Sequence, residues 1–136
     1  MTAETPEASV AVPIDNTDTP PRLLHVYATP DGESHIREIT VSAEAGSFPL
    51  SGLTARSYNP SHVDWHVAPR RQFAINLTGE LRVETSDGDT RRIGPGDLVL
   101  LEDTHGRGHV TRLLGPVTCV FLHVDGDVDV LKWANP

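Results

Sequence analysis

Residues 64–109 combine histidines at both ends with a series of short strand and turn signals between them. Apolar and polar residues alternate from Phe73 to Thr78 and again from Leu81 to Thr85, a period of two that is typical of half-buried strands. Asp87-Gly88 then provides a hairpin turn, and Pro95-Gly96-Asp97 provides a second tight turn. Antiparallel strands joined in this way are expected to bring the two ends of the stretch together inside one small barrel.

The rest of the chain continues the same pattern. Its 136 residues amount to one domain, and 11 glycines with 11 prolines favour an all-β fold rich in turns. We expect about nine or ten strands, closed into an antiparallel β-barrel or jelly roll so that few edges stay exposed. Residues 22–136 are the predicted barrel domain, and residues 1–21 a flexible arm. The segment 125–136 is either a short helix or a strand on the outside of the barrel.

Charge and composition exclude several classes of function. The formal net charge of -8 would repel nucleic-acid phosphates, and no apolar run approaches the roughly 20 residues of a membrane helix. The first residues lack the pattern of a signal peptide, so a cytoplasmic protein is expected. Cys119 is the single cysteine, which excludes an internal disulfide, and its apolar surroundings predict a buried, inert thiol.

Two short motifs frame the central stretch. The first is Asp64-Trp65-His66 followed by Gln72 and Gly79, and the second is Pro95-Gly96-Asp97 followed by His105 and His109. In order and approximate spacing they resemble the two motifs of the cupin superfamily, over roughly residues 22–124. The resemblance implies a cupin barrel with a small-molecule site in its mouth. It also implies a homodimer, made by sheet contacts or by exchanged N-terminal strands, for which alternating Val10, Val12 and Ile14 are suited.

The metal motif of the family is altered in this chain. Cupin sites usually offer three histidines and a carboxylate, whereas Asp64 here replaces a histidine and Gln72 replaces the glutamate. Residues two apart in a strand face the same way, so Asp64 and His66 are expected to project together. With His109 they would form a site of two histidines and one carboxylate, which suits Fe, Mn or Zn. Asp64, His66 and His109 are therefore the predicted metal ligands.

Three residues are predicted to act on the substrate. His66 is a candidate general base as well as a metal ligand, Gln72 would orient substrate or a bound water, and His105 would transfer a proton at the rim. Each has a structural alternative: a hydrogen-bonded core histidine for His66, a second hydrogen-bonding layer for Gln72, and a solvated side chain for His105. Asp64 in turn could form a salt bridge with Arg70 or Arg71 rather than bind metal.

Charged residues next to these motifs allow two interpretations. Arg70 and Arg71 could clamp a carboxylate on the substrate, or could be solvated or ion-paired at a strand end. Glu102 and Asp103 follow a buried strand and could act as acid or base, although capping of a turn is the preferred interpretation.

Three functions are compatible with these residues. The first is a small-molecule enzyme assisted by a divalent metal, either an oxygenase or an isomerase, lyase or cyclase. The second is a metal-free cupin that uses His66 as a general base. The third is a non-catalytic, ligand-binding cupin. Metal bound to the purified protein would favour the first function. Loss of metal-free activity in a His66 variant would favour the second function, and a barrel filled by side chains would favour the third.

Overall fold

The computed structural model describes residues 20–136, and that part of the chain forms ten strands and one short helix. The predicted arm, including Val10, Val12 and Ile14, lies outside the described residues except for Pro20 and Pro21. The strands are β1 (Arg22–Ala28), β2 (Ser34–Thr40), β3 (Leu50–Tyr58), β4 (His62–His66), β5 (Gln72–Thr78), β6 (Leu81–Thr85), β7 (Thr90–Ile93), β8 (Leu98–Glu102), β9 (His109–Leu113) and β10 (Val117–Val124), and the helix is α1 (Val130–Ala134).

The strands form two sheets that enclose the interior, as the all-β prediction requires. A six-stranded sheet has the order β2-β1-β8-β5-β10-β3, and a four-stranded sheet has the order β4-β9-β6-β7. Pairing is antiparallel except between β1 and β8, which run parallel. Each of the two predicted turns contains a glycine with a positive φ, which is 91° at Gly88 and 86° at Gly96, and only glycine adopts such values readily. The chain thus has the double-sheet architecture of a cupin-type barrel.

Side-chain alternation divides the six-stranded sheet into an inner and an outer face. Phe73 and Leu100 point outward and pack with Leu23 beneath helix α1, where Val130 and Ala134 are buried. The carboxylate of Asp129 caps this helix by accepting hydrogen bonds from the backbone N–H groups of residues 131 and 132, at 2.9 and 3.2 Å. The cap settles the choice that the sequence left open between a helix and a strand.

The inner faces of the two sheets meet in a second apolar cluster. Its buried members come from both sheets: Val26, Ile36, Val83, Ile93 and Val99. This cluster fills one part of the interior and leaves the remainder as a cavity. In the stretch from residue 20 to the C-terminus, no helix is long and apolar enough to cross a membrane.

Candidate active site

A cavity of about 460 Å³ lies between the two sheets. Strands of both sheets build its wall, and most strands that contribute more than one residue do so with every second side chain. On β5 these are Gln72, Ala74 and Asn76, and on β9 they are His109, Thr111 and Leu113. A volume of this size is in the ordinary range for a small-molecule pocket.

Strand β4 contributes Val63 and His66 to the cavity, although these residues are three apart. The pairing of β4 with β9 shifts register between them, which indicates a β-bulge or similar irregularity. Asp64 lies within this irregular segment, is exposed, and accepts a hydrogen bond from the backbone N–H of Trp65 at 2.9 Å. The expectation that Asp64 and His66 project together therefore fails, because regular alternation does not hold through the irregularity.

The ring of His66 has a defined orientation. Its Nδ1 lies 2.8 Å from the backbone carbonyl oxygen of Asp64. A carbonyl oxygen only accepts, so Nδ1 carries the proton and Nε2 of the neutral ring is left with its lone pair. The His66 ring centroid lies 4.4 Å from that of His109, which is paired with it across β4 and β9. Two imidazoles therefore stand side by side on the cavity wall.

His109 is held by a buried carboxylate. Its Nδ1 lies 2.5 Å from Oδ2 of Asp103, and the two residues are 4% and 0% exposed. An ionised carboxylate accepts only, so His109 donates from Nδ1 and presents a free Nε2. The other carboxylate oxygen, Oδ1, has no hydrogen-bond partner within residues 20–136. Within residues 20–136, the only hydrogen-bond partner of the Asp103 carboxylate is therefore His109.

The loop between β8 and β9 places Asp103 behind His109 by two close backbone approaches. A Cβ atom at Gly108, which has a φ of 73°, would lie 2.0 Å from the backbone oxygen of His66. A Cβ at Gly106 would lie 2.2 Å from the backbone oxygen of Gly32. The buried hydroxyl of Ser34 also donates to the carbonyl of Gly108 at 2.6 Å. Glycine is needed at these positions because only it lets the loop fold this tightly.

Other polar side chains reach the cavity from neighbouring strands. Gln72 is buried at 7% exposure and lines the cavity, as does His123, which pairs with it across β5 and β10. Arg70 donates to Nδ1 of His123 at 3.3 Å, so the proton of the neutral ring is on Nε2, which lies 3.1 Å from the hydroxyl of Thr54. His105 is exposed and is not among the residues that line the cavity.

Glu102, beside Asp103 in the sequence, has a structural role. Its carboxylate accepts from Nε2 of buried His25 at 2.5 Å and from Arg71, and Arg71 also donates to two backbone carbonyls near the C-terminus. Burial alone would raise the pKa of Glu102, but the hydrogen bonds and charges of His25 and Arg71 outweigh it and hold that pKa below its ordinary value. Arg71 is thus the ion-paired member of the Arg70-Arg71 pair.

Two further groups on the wall stay protonated at neutral pH. Burial raises the pKa of the Cys119 thiol. Burial also raises the pKa of Tyr58, with a further contribution from Cys119 that exceeds the opposing effect of Arg56. Cys119 is 5% exposed and lines the cavity, which agrees with the predicted buried and unreactive thiol.

The described residues do not fit the predicted metal site. His66 and His109 are suited to it, because each has Nδ1 anchored and Nε2 free. The carboxylate predicted as the third donor is absent from the cavity wall, because Asp64 is exposed and does not line the cavity, and Gln72 offers a neutral amide. Within residues 20–136, no group of three histidine, cysteine or acidic side chains is placed to hold a metal ion. The divalent metal stays a prediction.

Asp103 and His123 contribute to the site, although the sequence favoured a turn-capping role for Asp103 and offered no motif that includes His123. Asp103 resembles a turn residue because it follows a strand and precedes a glycine-rich loop. Its spacing of six residues from His109, across a loop with two glycines, is the signal that would have linked the two side chains. His123 has no signal beyond alternation along β10.

Comparison with known proteins gives likenesses of structure. No protein-family model and no curated protein matches the chain. A DUF861 family protein from Thermotoga maritima is 24% identical over 57% of this chain and 80% of that one, with a TM-score of 0.44. A cupin domain from Bordetella pertussis is 15% identical over 79% and 96%, with a TM-score of 0.41.

A sugar phosphate isomerase of the cupin superfamily from Silicibacter pomeroyi is also similar, at 18% identity over 84% of this chain and 76% of that one, with a TM-score of 0.41. Two of these three chains are described as cupins.

Proposed function

We propose that this cupin-type barrel is a small-molecule enzyme whose reaction begins with metal-independent removal of a proton by a histidine in the cavity. The observation that carries the proposal is the pair of Asp103 and His109, with His66 beside it. An isomerase, lyase or cyclase reaction can start from such a step. Relative to the sequence-based hypothesis of a metal-free base, the geometry moves the main role from His66 to His109.

The chemistry follows from the orientation of the rings. Nε2 of His109 accepts a proton from a carbon acid in the cavity, and the ring becomes an imidazolium. The carboxylate of Asp103 holds Nδ1–H, fixes the tautomer and stabilises the positive charge that forms. The imidazolium of His109 then returns this proton from Nε2 to a different atom of the same substrate, and His66, whose Nε2 is also free, accepts a hydrogen bond from a substrate hydroxyl group. Gln72 can donate and accept, and so orients a carbonyl oxygen.

Burial of the base makes this arrangement more effective. His109 and Asp103 are almost fully shielded from water, and the neighbouring wall is largely apolar, with Ala74, Leu101 and Leu113 among the residues that line it. Electrostatic stabilisation by a fixed carboxylate is stronger in such surroundings than in water. The same shielding protects a carbanion or enolate from indiscriminate protonation.

Exchange of carbon-bound hydrogen with solvent tests the proposal without knowledge of the natural substrate. Chelator-treated protein would be incubated in D₂O with 2-oxobutanoate and with dihydroxyacetone phosphate, and loss of the proton signal next to the carbonyl followed by NMR. We expect the wild-type protein to accelerate exchange of at least one probe. His109→Ala and Asp103→Asn should each lower the rate by about 10²- to 10⁴-fold.

The matched control is His62→Ala. His62 is on the same strand as His66 but is exposed and does not line the cavity, so its variant should keep the wild-type rate. Two results would count against the proposal: exchange that requires added metal, or exchange that is equal in wild type and in both site variants. A wild-type protein that exchanges neither probe would also contradict it.

A further inference from the structure

The charges on the cavity wall are all of one sign. Arg56 and Arg70 line the cavity together with three histidines, and none of the residues from 20 to 136 that line it is an aspartate or a glutamate. This contrasts with the whole chain, which has 19 acidic residues against 11 basic ones. An acidic protein therefore encloses a cavity whose only formal charges at neutral pH are positive.

Within residues 20–136, no carboxylate neutralises either of the two cavity arginines, Arg56 and Arg70. Their side chains form a hydrogen bond from Arg56 to the backbone oxygen of Ala55 at 3.0 Å and one from Arg70 to His123 at 3.3 Å. Within the described part of the chain neither forms a salt bridge, whereas Arg71 next to Arg70 is paired with Glu102. The two guanidinium groups thus keep donors available for a ligand.

The two arginines also lie at a different depth from the base. Arg56 and Arg70 are exposed although they line the cavity, which places them at its mouth. His109 and Gln72 are buried, at 4% and 7% exposure. A ligand that fills the cavity can therefore place one end among the arginines and the other against the buried base.

Gln72 keeps this positive character intact. A carboxylate at position 72 would add a negative charge on the same wall, where His123 and Arg70 are neighbours. The neutral amide adds none. Tyr58 adds a phenol that stays protonated, and Thr54 and Thr111 add hydroxyl groups, so the wall offers hydrogen-bond donors near the two charges.

We infer that the substrate is an anion: a small molecule with a carboxylate or phosphate group, which Arg56 and Arg70 bind while its reacting carbon lies against His109. Charge-assisted hydrogen bonds from guanidinium groups recognise both anions, and they fix the position of a ligand as well as its affinity. The inference rests on the proposed function in that it takes the same cavity as the active site, and it adds the class of substrate.

Binding of three related probes tests the inference directly. Benzoate, phenyl phosphate and neutral benzamide would be titrated into the protein by calorimetry at low ionic strength. At least one of the anions should bind about ten or more times more tightly than benzamide, and the better anion tells a carboxylate from a phosphate substrate. Arg56→Gln and Arg70→Gln should each weaken binding of that anion about tenfold or more.

Arg82→Gln is the control, because Arg82 is also an exposed strand arginine without a described salt bridge but does not line the cavity. It should leave the affinity unchanged. Equal binding of anion and benzamide, no binding of any probe, or equal losses in all three arginine variants would overturn the inference.

The exchange assay separates failure of this inference from failure of the proposed function. Butan-2-one and 2-oxobutanoate share the reacting CH₂ next to a carbonyl and differ in the carboxylate. Equally fast exchange of both would leave the base in place and refute the anion site. Tight, arginine-dependent binding of an anion with no exchange would refute the base and keep the anion site.

Discussion

At the scale of single residues, two adjacent carboxylates have different roles. Asp103 points into the site and meets His109, whereas Glu102 points to the opposite side of β8 and links His25 with Arg71. Alternation along a strand explains the division, because neighbouring side chains project to opposite faces. The sequence shows both carboxylates, but only the position of the strand end shows which one meets the cavity histidine.

Glu102→Gln should reduce stability in a pH-dependent way. The pKa of Glu102 is lowered in the folded state, so its contribution is present above the unfolded value near 4.5 and is lost as pH falls through the folded value. Its side chain is 18% exposed and bonds two partners. We expect the variant to be about 1–3 kcal/mol less stable at pH 7, with the difference shrinking below pH 4.5.

Urea unfolding across this pH range measures the effect. Glu84→Gln is the control, since Glu84 is exposed on β6 and has no described salt bridge. The free energy of unfolding of the Glu102 variant could instead differ from that of wild type by the same amount at every pH. That result would show that the ion pairs do not link folding to protonation of this carboxyl group.

Among the candidate site residues, motif spacing predicted His66, His109 and Gln72 in the cavity, where the structure also has them. Gln72 and His109 lie on regular strands, for which such spacing is informative. Asp64 does not line the cavity, because regular alternation is interrupted where β4 shifts register. Its role as a metal ligand stays a prediction. The metal and the proton transfer by His105 stay predictions, although the structure places His105 in solvent.

At the scale of elements, turns and alternation made the strands predictable. Predicted strands such as 73–78 and 81–85 match β5 and β6 closely, because apolar alternation and bounding glycines fix both face and length. The parallel pairing of β1 with β8 depends on contacts between distant segments, and no local pattern encodes it. The same holds for the approach of the loop before β9 to β4.

Gly108→Ala tests that approach. A side chain there would have an unfavourable positive φ of 73° and would also meet the backbone of His66 at 2.0 Å. The strain alone costs about 1–2 kcal/mol, and the contact with backbone atoms adds to it. We therefore expect a loss of stability at least about 2 kcal/mol larger than that of Gly88→Ala, together with loss of solvent exchange activity.

Gly88→Ala is a matched control. Gly88 has a φ of 91°, but no atom lies within 4 Å of the position that an alanine Cβ would take there. Its loss of stability therefore reports conformational strain alone. If urea unfolding gave equal losses for the two variants, the close contact between the loop before β9 and strand β4 would not be a determinant of the site.

At the scale of the whole molecule, the outer helix and the inner cavity use opposite faces of one sheet. Helix α1 packs on the apolar side chains of the outer face and forms a hydrophobic core there. The inner face can therefore line a cavity with polar side chains without loss of that core. The all-β class and the double-sheet barrel could be predicted from composition, turns and motifs. The set of side chains that line the cavity could not be predicted, because it depends on which of the ten strands lie next to one another.

The homodimer stays a prediction at this scale. Two of the terminal strands of the sheets, β3 and β4, expose large apolar side chains: Leu53 is 64% exposed, Leu50 43% and Trp65 42%. Such residues on sheet edges are compatible with a contact between two copies of the chain. The cytoplasmic location likewise stays a prediction.

The central claim is that Asp103 keeps the proton of His109 on Nδ1, so that Nε2 is a free base in a metal-free cavity. Two-dimensional ¹H–¹⁵N NMR of the imidazole nitrogens in chelator-treated protein tests it most directly. We predict the Nδ1–H tautomer for neutral His109, and a shift toward Nε2–H in Asp103→Asn, whose amide can donate to Nδ1. A wild-type ring with its proton on Nε2, or a tautomer unchanged in the variant, would contradict the claim.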